Sequence, residues 1–142
     1  MIQTNKKLNI VLDTNILFVS IPEKSKYRSI FENFINENFV LCITNDILKE
    51  YEEILSERYD SETVENIMEI LLIADNVKKQ IFIIIGILSL LILMIDNKFV
   101  DCAIASNADY LVTNDKHFDI LKKIDFPKVN TIKIDKFIKF LK

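Results

Sequence analysis

Acidic residues near the ends of predicted strands are the part of this sequence whose types and spacing could do chemistry. Asp13 directly follows the apolar run LNIVL, and Asp115 follows the run YLVT with one residue between. Glu50 lies one turn into the helix predicted after a second apolar run, FVLCIT. Asp96 stands where a long apolar run ends, and Asp101 lies about one turn later. Mg²⁺ and Mn²⁺ prefer oxygen ligands, so clustered carboxylates could hold one or two such ions.

A divalent metal held by these acids would suit the hydrolysis of a phosphodiester. It can lower the pKa of a bound water and stabilise the charge on the phosphate as the leaving oxygen departs. Carboxylates without a cation would repel the phosphate. Taken singly, each acid has a structural explanation: Asp13 in the segment DTN suits a turn, Asp96 and Asp115 suit helix caps, and Glu50 suits a solvated helix face.

Short apolar runs alternate with segments whose apolar residues recur at helical spacing. Strands are predicted in LNIVLD, FVLCIT, YLVT and TIKI. Helices are predicted in KYRSIFENFINEN, after a cap at Thr44 or Asn45, from Asp60 or Ser61, and in NKFVDCAIASNA, DKHFDILKKI and DKFIKFL. This alternation predicts a three-layer α/β/α fold with a mostly parallel central sheet. Sites in such folds form beyond the carboxyl ends of the strands.

The composition indicates one globular domain over residues 1–142. Half of the residues are hydrophobic, 27% are charged, and the formal net charge is −3. That charge argues against a broad basic surface for nucleic acid, although it leaves a metal-dependent nuclease open. Cys42 and Cys102 lie in apolar runs, so we expect reduced, buried thiols in a cytoplasmic protein. His117 is expected to be exposed at a helix start, with orientation of a phosphate as the alternative.

Residues 81–95 form an uncharged apolar run, IFIIIGILSLLILMI. The run is shorter than the roughly 20 residues that cross a bilayer, and the N-terminus lacks the apolar stretch of a signal peptide. We therefore expect a buried strand followed by core-packing chain here, and no membrane association.

Four segments, VLDTNILFVS, TNDILKEYEEIL, DNKFVDCAIASNADYLVTNDKHF and TIKIDKFI, resemble those of the PIN domain family. More specifically, they resemble the PIN-type toxins of bacterial toxin–antitoxin pairs, in order and over nearly the whole chain. The resemblance implies a compact α/β/α fold, dependence on Mg²⁺ or Mn²⁺, and cleavage of single-stranded RNA. It places Asp13, Glu50, Asp96 and Asp115 on the acidic positions of the family's site, and Asp101 where many relatives carry a further aspartate.

The resemblance also implies supporting residues and an antitoxin. The RNA contacts and the homodimer named below are expectations from the cationic residues near the acids and from the apolar excess of the chain. Asn15 and Thr113 match polar positions that support the carboxylates or the scissile phosphate. Lys98, Lys116 and Arg28 are candidate contacts to RNA. A small antitoxin is expected to bind over the acidic crevice, and a homodimer is a further expectation.

The chain departs from the family pattern before Asn97. Similar relatives carry several acids there, whereas this chain reads LSLLILMIDNKF. We hypothesise that part of residues 81–95 was read in a shifted frame; sequencing the gene would test this, since an apolar or interrupted alternative frame would contradict it. If the segment is genuine, activity could be weakened, and the alternative is a non-catalytic PIN-like protein that binds RNA or a protein partner.

Two other enzyme-like classes fit the pattern poorly. A dehalogenase-like phosphatase would need a second acid two residues after Asp13, where Asn15 stands. A phospho-accepting receiver would need an acid pair near the first strand and a lysine after a late strand, where Thr113, Asn114 and Asp115 stand instead.

Overall fold

In the part of the chain that the structure describes, the core is a five-stranded sheet in which every strand pairs in parallel with its neighbours. The structure is a computed structural model that describes residues 6–80 and 97–141. The strands are β1 (Asn9–Leu12), β2 (Val40–Ile43), β3 (Val77–Lys79), β4 (Tyr110–Val112) and β5 (Thr131–Ile132). Their order in the sheet is β3-β2-β1-β4-β5, so β1 is central.

Helices connect the strands, as parallel pairing requires. The α-helices are α1 (Thr14–Ser20), α2 (Arg28–Ile35), α3 (Asn45–Arg58), α4 (Ser61–Ile73), α5 (Lys98–Ala105) and α6 (Ile134–Phe140), and a 3₁₀ helix spans Lys116–Lys123. Thr44 caps α3, because its hydroxyl accepts a hydrogen bond of 3.2 Å from the backbone N–H of Ile47. The predicted three-layer α/β/α class with a mostly parallel sheet is confirmed.

The central strands contain consecutive apolar residues because both of their faces are covered. Ile10, Val11 and Leu12 of β1 are buried, as are Leu111 and Val112 of β4. Burial of consecutive residues rather than alternate ones is the pattern that the run LNIVL predicts. This packing fixes where β1 and β4 end, and therefore where the residues that follow them lie.

Three elements differ from the sequence-based expectation. Helix α1 begins directly after Asp13. For this segment, DTN, the sequence favoured either a turn or helix cap or a functional site, and no helix was predicted. Strand β3 was not predicted, because two of its three residues are exposed lysines at the sheet edge. The helix after Asp115 is a 3₁₀ helix. The strand predicted within residues 81–95 lies outside the described residues.

Both cysteines, Cys42 and Cys102, are free and buried, as predicted. In the two described ranges, no helix is both long and apolar enough to cross a membrane.

Candidate active site

The candidate site lies at the carboxyl ends of β1 and β4, where the order of strands along the chain reverses direction. Such switch points are where open parallel sheets form their binding crevices. Asp13 follows β1, and its backbone N–H donates to the carbonyl of Val112 at 3.0 Å. Thr113 follows β4, and its hydroxyl donates to Oδ2 of Asp13 at 2.8 Å. The strand register therefore brings the two side chains together.

Asp115 joins this pair through the same threonine. Its backbone N–H donates to the Thr113 hydroxyl oxygen at 3.1 Å. Oδ1 of Asp115 caps the 3₁₀ helix by accepting from the backbone N–H of His117 at 2.9 Å, and Nδ1 of the exposed His117 ring lies 2.8 Å from the same oxygen. The bond from the His117 N–H is the main cause that lowers the pKa of Asp115. This aspartate thus stays ionised at an exposed edge of the site.

Glu50 reaches the same edge from α3. The buried Tyr51 ties this helix to β1, because its hydroxyl donates to the carbonyl of Leu12 at 2.5 Å. Glu50 Oε2 accepts a hydrogen bond from the Thr14 hydroxyl. Glu50 Oε1 lies 2.9 Å from Nζ of Lys98 in an ion pair. Both carboxylate oxygens therefore already have partners.

Helix α5 carries the remaining described candidates. Its first turn is capped by Asn97, whose Oδ1 accepts from the backbone N–H of Phe99 at 2.8 Å. This cap places Lys98 beside Glu50, and it places Asp101, which is half-buried, in the first turn. Asp96 lies outside the described residues. Its predicted role, like that of Asp101, stays a prediction.

The two carboxylates of α3 and β1 are in contrasting electrostatic environments. Burial raises the pKa of Asp13, and the charges of Asp115 and Glu50 add to this, against the lowering effect of the Thr113 hydrogen bond. Burial also acts to raise the pKa of Glu50, but the hydrogen bonds from Thr14 and Lys98 outweigh it and leave that pKa lowered. A cation near Asp13 would relieve its unfavourable ionisation.

A cavity of about 350 Å³ opens beside these acids. It is lined by Asp13, Asn15, Ile16, Val19, Tyr27, Asn114, Asp115 and Ile134. Asp13 and Asp115 give it hard oxygen donors, which fit the ligand preference of Mg²⁺ and Mn²⁺. Within residues 6–80 and 97–141, no three acidic, histidine or cysteine side chains are grouped closely enough to hold a metal ion.

The cationic side chains predicted to contact RNA have different surroundings. Lys98 is paired with Glu50. Lys116 is exposed at the start of the 3₁₀ helix. Arg28 donates to the carbonyl of Ile21, and its guanidinium lies 5.0 Å from the ring centroid of Phe31. Arg28 therefore serves the packing of α2, and of the three it is the least suited to RNA.

Two contributors to the site were not predicted from the sequence. Thr14 was considered only as part of a turn or cap, yet its hydroxyl bonds Glu50. Tyr27 was assigned only to the apolar face of α2, yet it lines the cavity. For Thr14, the available signal was its helical spacing from Leu17, since α1 buries both residues. For Tyr27, the sequence offers no comparable signal.

A sequence model described as PIN domain matches residues 9–117 of the chain. The chain belongs to the PIN domain family. No curated protein matches it. Among solved structures, it is similar to a chain in the crystal structure of VapBC2 from Rickettsia felis bound to a DNA fragment from their promoter, with a TM-score of 0.54. The two chains are 21% identical, and the match covers 89% of this chain and 98% of the other.

Membership of the PIN domain family agrees with the resemblance seen in the sequence. The matched region begins at the first residue of β1 and ends two residues after Asp115. It therefore contains the strand ends and helices that position Asp13, Glu50 and Asp115. The structural similarity independently supports the fold.

Proposed function

We propose that this PIN domain protein is a Mg²⁺- or Mn²⁺-dependent endoribonuclease that hydrolyses phosphodiester bonds of single-stranded RNA. The observation that carries the proposal is the convergence of Asp13 and Asp115 on one cavity at the switch point of a PIN domain. Enzymes of this family are typically metal-dependent nucleases. The choice of RNA as substrate comes from the sequence resemblance to PIN-type toxins.

The acids Asp13, Glu50 and Asp115, with the predicted Asp96 and Asp101, would hold the divalent metal. When bound, such an ion would supply Lewis-acid chemistry that activates water and offsets charge on the phosphate. Thr113 fixes the orientation of the Asp13 carboxylate through its 2.8 Å hydrogen bond. A carboxylate held in one rotamer by its neighbours is pre-organised for binding, which raises affinity for a cation.

Lys98 would act both on the Glu50 carboxylate and on the approach of RNA. Its ammonium group lies 2.9 Å from Oε1 of Glu50 and favours the ionised form of that carboxylate. The same positive charge lies beside Glu50, outside the lining of the cavity that contains Asp13 and Asp115. Lys98 would therefore favour entry of RNA into a site that is otherwise negatively charged.

The test is cleavage of a mixed pool of single-stranded RNA with Mn²⁺ by wild-type protein. Cleavage should be lost with EDTA and in Asp13→Asn, whereas Glu53→Gln, an exposed residue of the same helix as Glu50, should cleave normally. Cleavage that survives EDTA would contradict the metal-dependent mechanism. Cleavage that survives in Asp13→Asn would contradict the assigned site.

A non-catalytic PIN-like protein that binds RNA or a protein partner is the second candidate. It is favoured by the departure of residues 81–95 from the family pattern, directly before the predicted metal ligand Asp96. Titration with Mn²⁺, followed by electron paramagnetic resonance, separates the two candidates. A nuclease should bind Mn²⁺ at a site lost in Asp13→Asn, whereas the non-catalytic protein should show no such site.

We further infer that the protein is the toxin of a toxin–antitoxin pair in the cytoplasm. The likeness to PIN-type toxins supports this, and so does the fold similarity to a chain of VapBC2. The antitoxin would cover the acidic cavity, so co-expression with the product of the adjacent gene should give a stable complex without nuclease activity. Growth arrest should follow expression of the PIN domain protein alone and should disappear in Asp13→Asn.

A homodimer is supported by apolar side chains that remain exposed at the C-terminal ends of α2 and α4. Ile35, Leu72 and Ile73 are 46%, 64% and 71% exposed. Burying such a surface against a second copy would be favourable. Light scattering should give the mass of a dimer for wild type and of a monomer for Ile73→Glu.

A further inference from the structure

The cavity beside the acids has two chemically different walls. Asp13 and Asp115 form the carboxylate wall, where the proposed nuclease would engage a phosphate through metal. The apolar part of the lining, here called the apolar wall, is formed by Ile16, Val19 and Ile134 together with Tyr27. Contact with this apolar wall would stabilise neither a phosphate nor a metal ion. It would stabilise a planar, weakly polar group attached to the phosphate.

We propose that the cavity binds the nucleobase next to the scissile phosphate of single-stranded RNA, and that Tyr27 and Asn114 determine which bases are accepted. The proposal rests on the proposed nuclease function and deepens it. The volume of about 350 Å³ lies at the lower end of the range for small-molecule pockets, which suits one nucleoside rather than a longer segment. Proteins that recognise unpaired RNA bases stack them on aromatic rings and bond their edges.

Tyr27 is held in place as a stacking surface should be. Its hydroxyl donates to Oδ1 of Asp135 at 3.0 Å, and its backbone N–H donates to the hydroxyl of Ser25 at 3.0 Å. Nζ of Lys26 lies 5.2 Å from the ring centroid and 3.7 Å from the same Asp135 oxygen. These contacts fix both ends of the residue. The ring can therefore accept a base without first losing rotational freedom.

Asn114 supplies a hydrogen-bond donor with a defined orientation. Its Oδ1 accepts from the backbone N–H of Ile134 at 3.1 Å, and this bond distinguishes the oxygen of the amide from its nitrogen. The Nδ2 amide group has no partner among the described residues, and it is the part of the side chain that a ligand could bond. Its two N–H donors complement a carbonyl oxygen on a base edge. Uracil, cytosine and guanine have such an oxygen, whereas adenine presents an amino group instead.

The first test measures binding without metal and without a phosphate. Isotope-labelled protein in EDTA is titrated with uridine or adenosine, and the side-chain amide signals of Asn15 and Asn114 and the ring signals of Tyr27 are followed by NMR. Uridine should shift these signals at lower concentration than adenosine. Shifts that are absent or lie elsewhere on the protein would overturn the proposal.

The second test maps cut sites in a random RNA pool. Wild type should cut with adenine depleted at one position beside the cut. Tyr27→Leu should lower kcat/KM by about 5- to 150-fold, the range for loss of one base–aromatic stack, and should flatten the preference. Tyr27→Phe keeps the ring and should restore the preference. Tyr59→Leu is the matched control, because this tyrosine packs on Phe18 and does not line the cavity.

Asn114→Asp tests the hydrogen-bond readout separately from stacking. Aspartate keeps the acceptor for the Ile134 N–H but replaces the amide donors with a second acceptor. Discrimination against adenine should therefore disappear, whereas the exposed Asn130→Asp control, which adds the same charge outside the cavity, should leave the pattern unchanged. An unaltered pattern in Tyr27→Leu and Asn114→Asp would overturn the proposal. If wild type cuts no RNA at all, the proposed nuclease function fails, and the nucleoside titration alone decides whether the pocket binds bases.

Discussion

Asp13 and Glu50 lie at the same edge of the sheet, but their carboxylates are supported in opposite ways. Asp13 is supported by a neutral hydroxyl, that of Thr113, and has acidic neighbours that make its ionisation less favourable. Glu50 is supported by the hydroxyl of Thr14 and the ammonium of Lys98, which make its ionisation more favourable. Among residues 6–80 and 97–141, Asp13 therefore has no cationic partner, whereas Glu50 has one in Lys98.

This difference indicates a division of labour within the site. The carboxylate without a cationic partner gains most from a metal ion, because the ion removes an electrostatic cost that the fold leaves in place. The carboxylate paired with lysine gains less, since a metal must share an oxygen that is already bonded. We therefore expect Asp13 to contribute most to metal binding and Glu50 to modify the affinity for the metal.

The largest expected effect comes from neutralising each acid in turn. Asp13→Asn should lower RNA cleavage by at least about 100-fold, whereas Glu50→Gln should lower it by about 10- to 100-fold, as expected for a group that adjusts the metal site. Their effects on folding in EDTA should have opposite signs at pH 7. Asp13→Asn should raise Tm, because it removes an unfavourable charge, and Glu50→Gln should lower Tm, because it removes a favourable one.

The pH dependence of Tm checks the signs. The folded-state pKa of Asp13 is above its ordinary value of 3.8, so the cost of ionising it develops as pH rises from that value through the folded-state pKa. The folded-state pKa of Glu50 is below its ordinary value of 4.5, so its stabilisation is present above 4.5 and is lost as pH falls through the folded-state pKa. Both variants should therefore converge on wild type at low pH. Shifts of the same sign at pH 7 would contradict the comparison.

The strand ends could be predicted from the sequence because buried parallel strands have short, continuous apolar sequences. The runs LNIVL and YLVT located β1 and β4, and hence Asp13 and Asp115. The partners of Glu50 could not be predicted in this way. The distance between Glu50 and Lys98 depends on how α3 and α5 pack, and helical periodicity gives the buried face of each helix but not the position of one helix against another.

Strand β3 and the apolar wall of the cavity show the same limit. The segment VKK has no apolar alternation, so its strand conformation comes from pairing with β2 rather than from its own residues. The cavity wall combines residues from α1, the segment before α2, and the start of α6. Such long-range convergence leaves no local pattern in the sequence.

Thr113→Val tests the contribution of the Thr113 hydroxyl to the Asp13 carboxylate. Valine keeps the shape but removes the hydroxyl that joins Asp13 to the backbone of Asp115. Because Thr113 is buried, we expect a loss of about 1–3 kcal/mol in the free energy of unfolding, and the pKa of Asp13 should rise further. Cleavage should fall by about 10-fold. Urea unfolding and RNA cleavage measure these effects, and Thr113→Ser should restore both.

Lys98→Met tests the contribution of the Lys98 ammonium group to the Glu50 carboxylate. The Lys98 side chain is 38% exposed, so the ion pair should contribute less than about 1 kcal/mol to folding. A double-mutant cycle with Glu50→Gln isolates that coupling in the free energy of unfolding. Cleavage should fall by about 5- to 10-fold, because Glu50 loses a group that orients it. We expect a coupling of about 0.2–1 kcal/mol. A coupling below that range in EDTA would show that the counter-charge assigned to Glu50 does not act in solution.

His117→Ala should have the smallest effect of the series. The ring of His117 is 95% exposed, and the largest cause of the lowered pKa of Asp115 is the backbone N–H of His117, which alanine retains. Cleavage should therefore stay within about 3-fold of wild type, as expected of a surface substitution. Asp115→Asn makes the contrast, because asparagine also caps a helix well but lacks the charge. It should fold normally and lose cleavage. A large loss in His117→Ala would instead assign to the imidazole a part in the reaction that the backbone bond cannot supply.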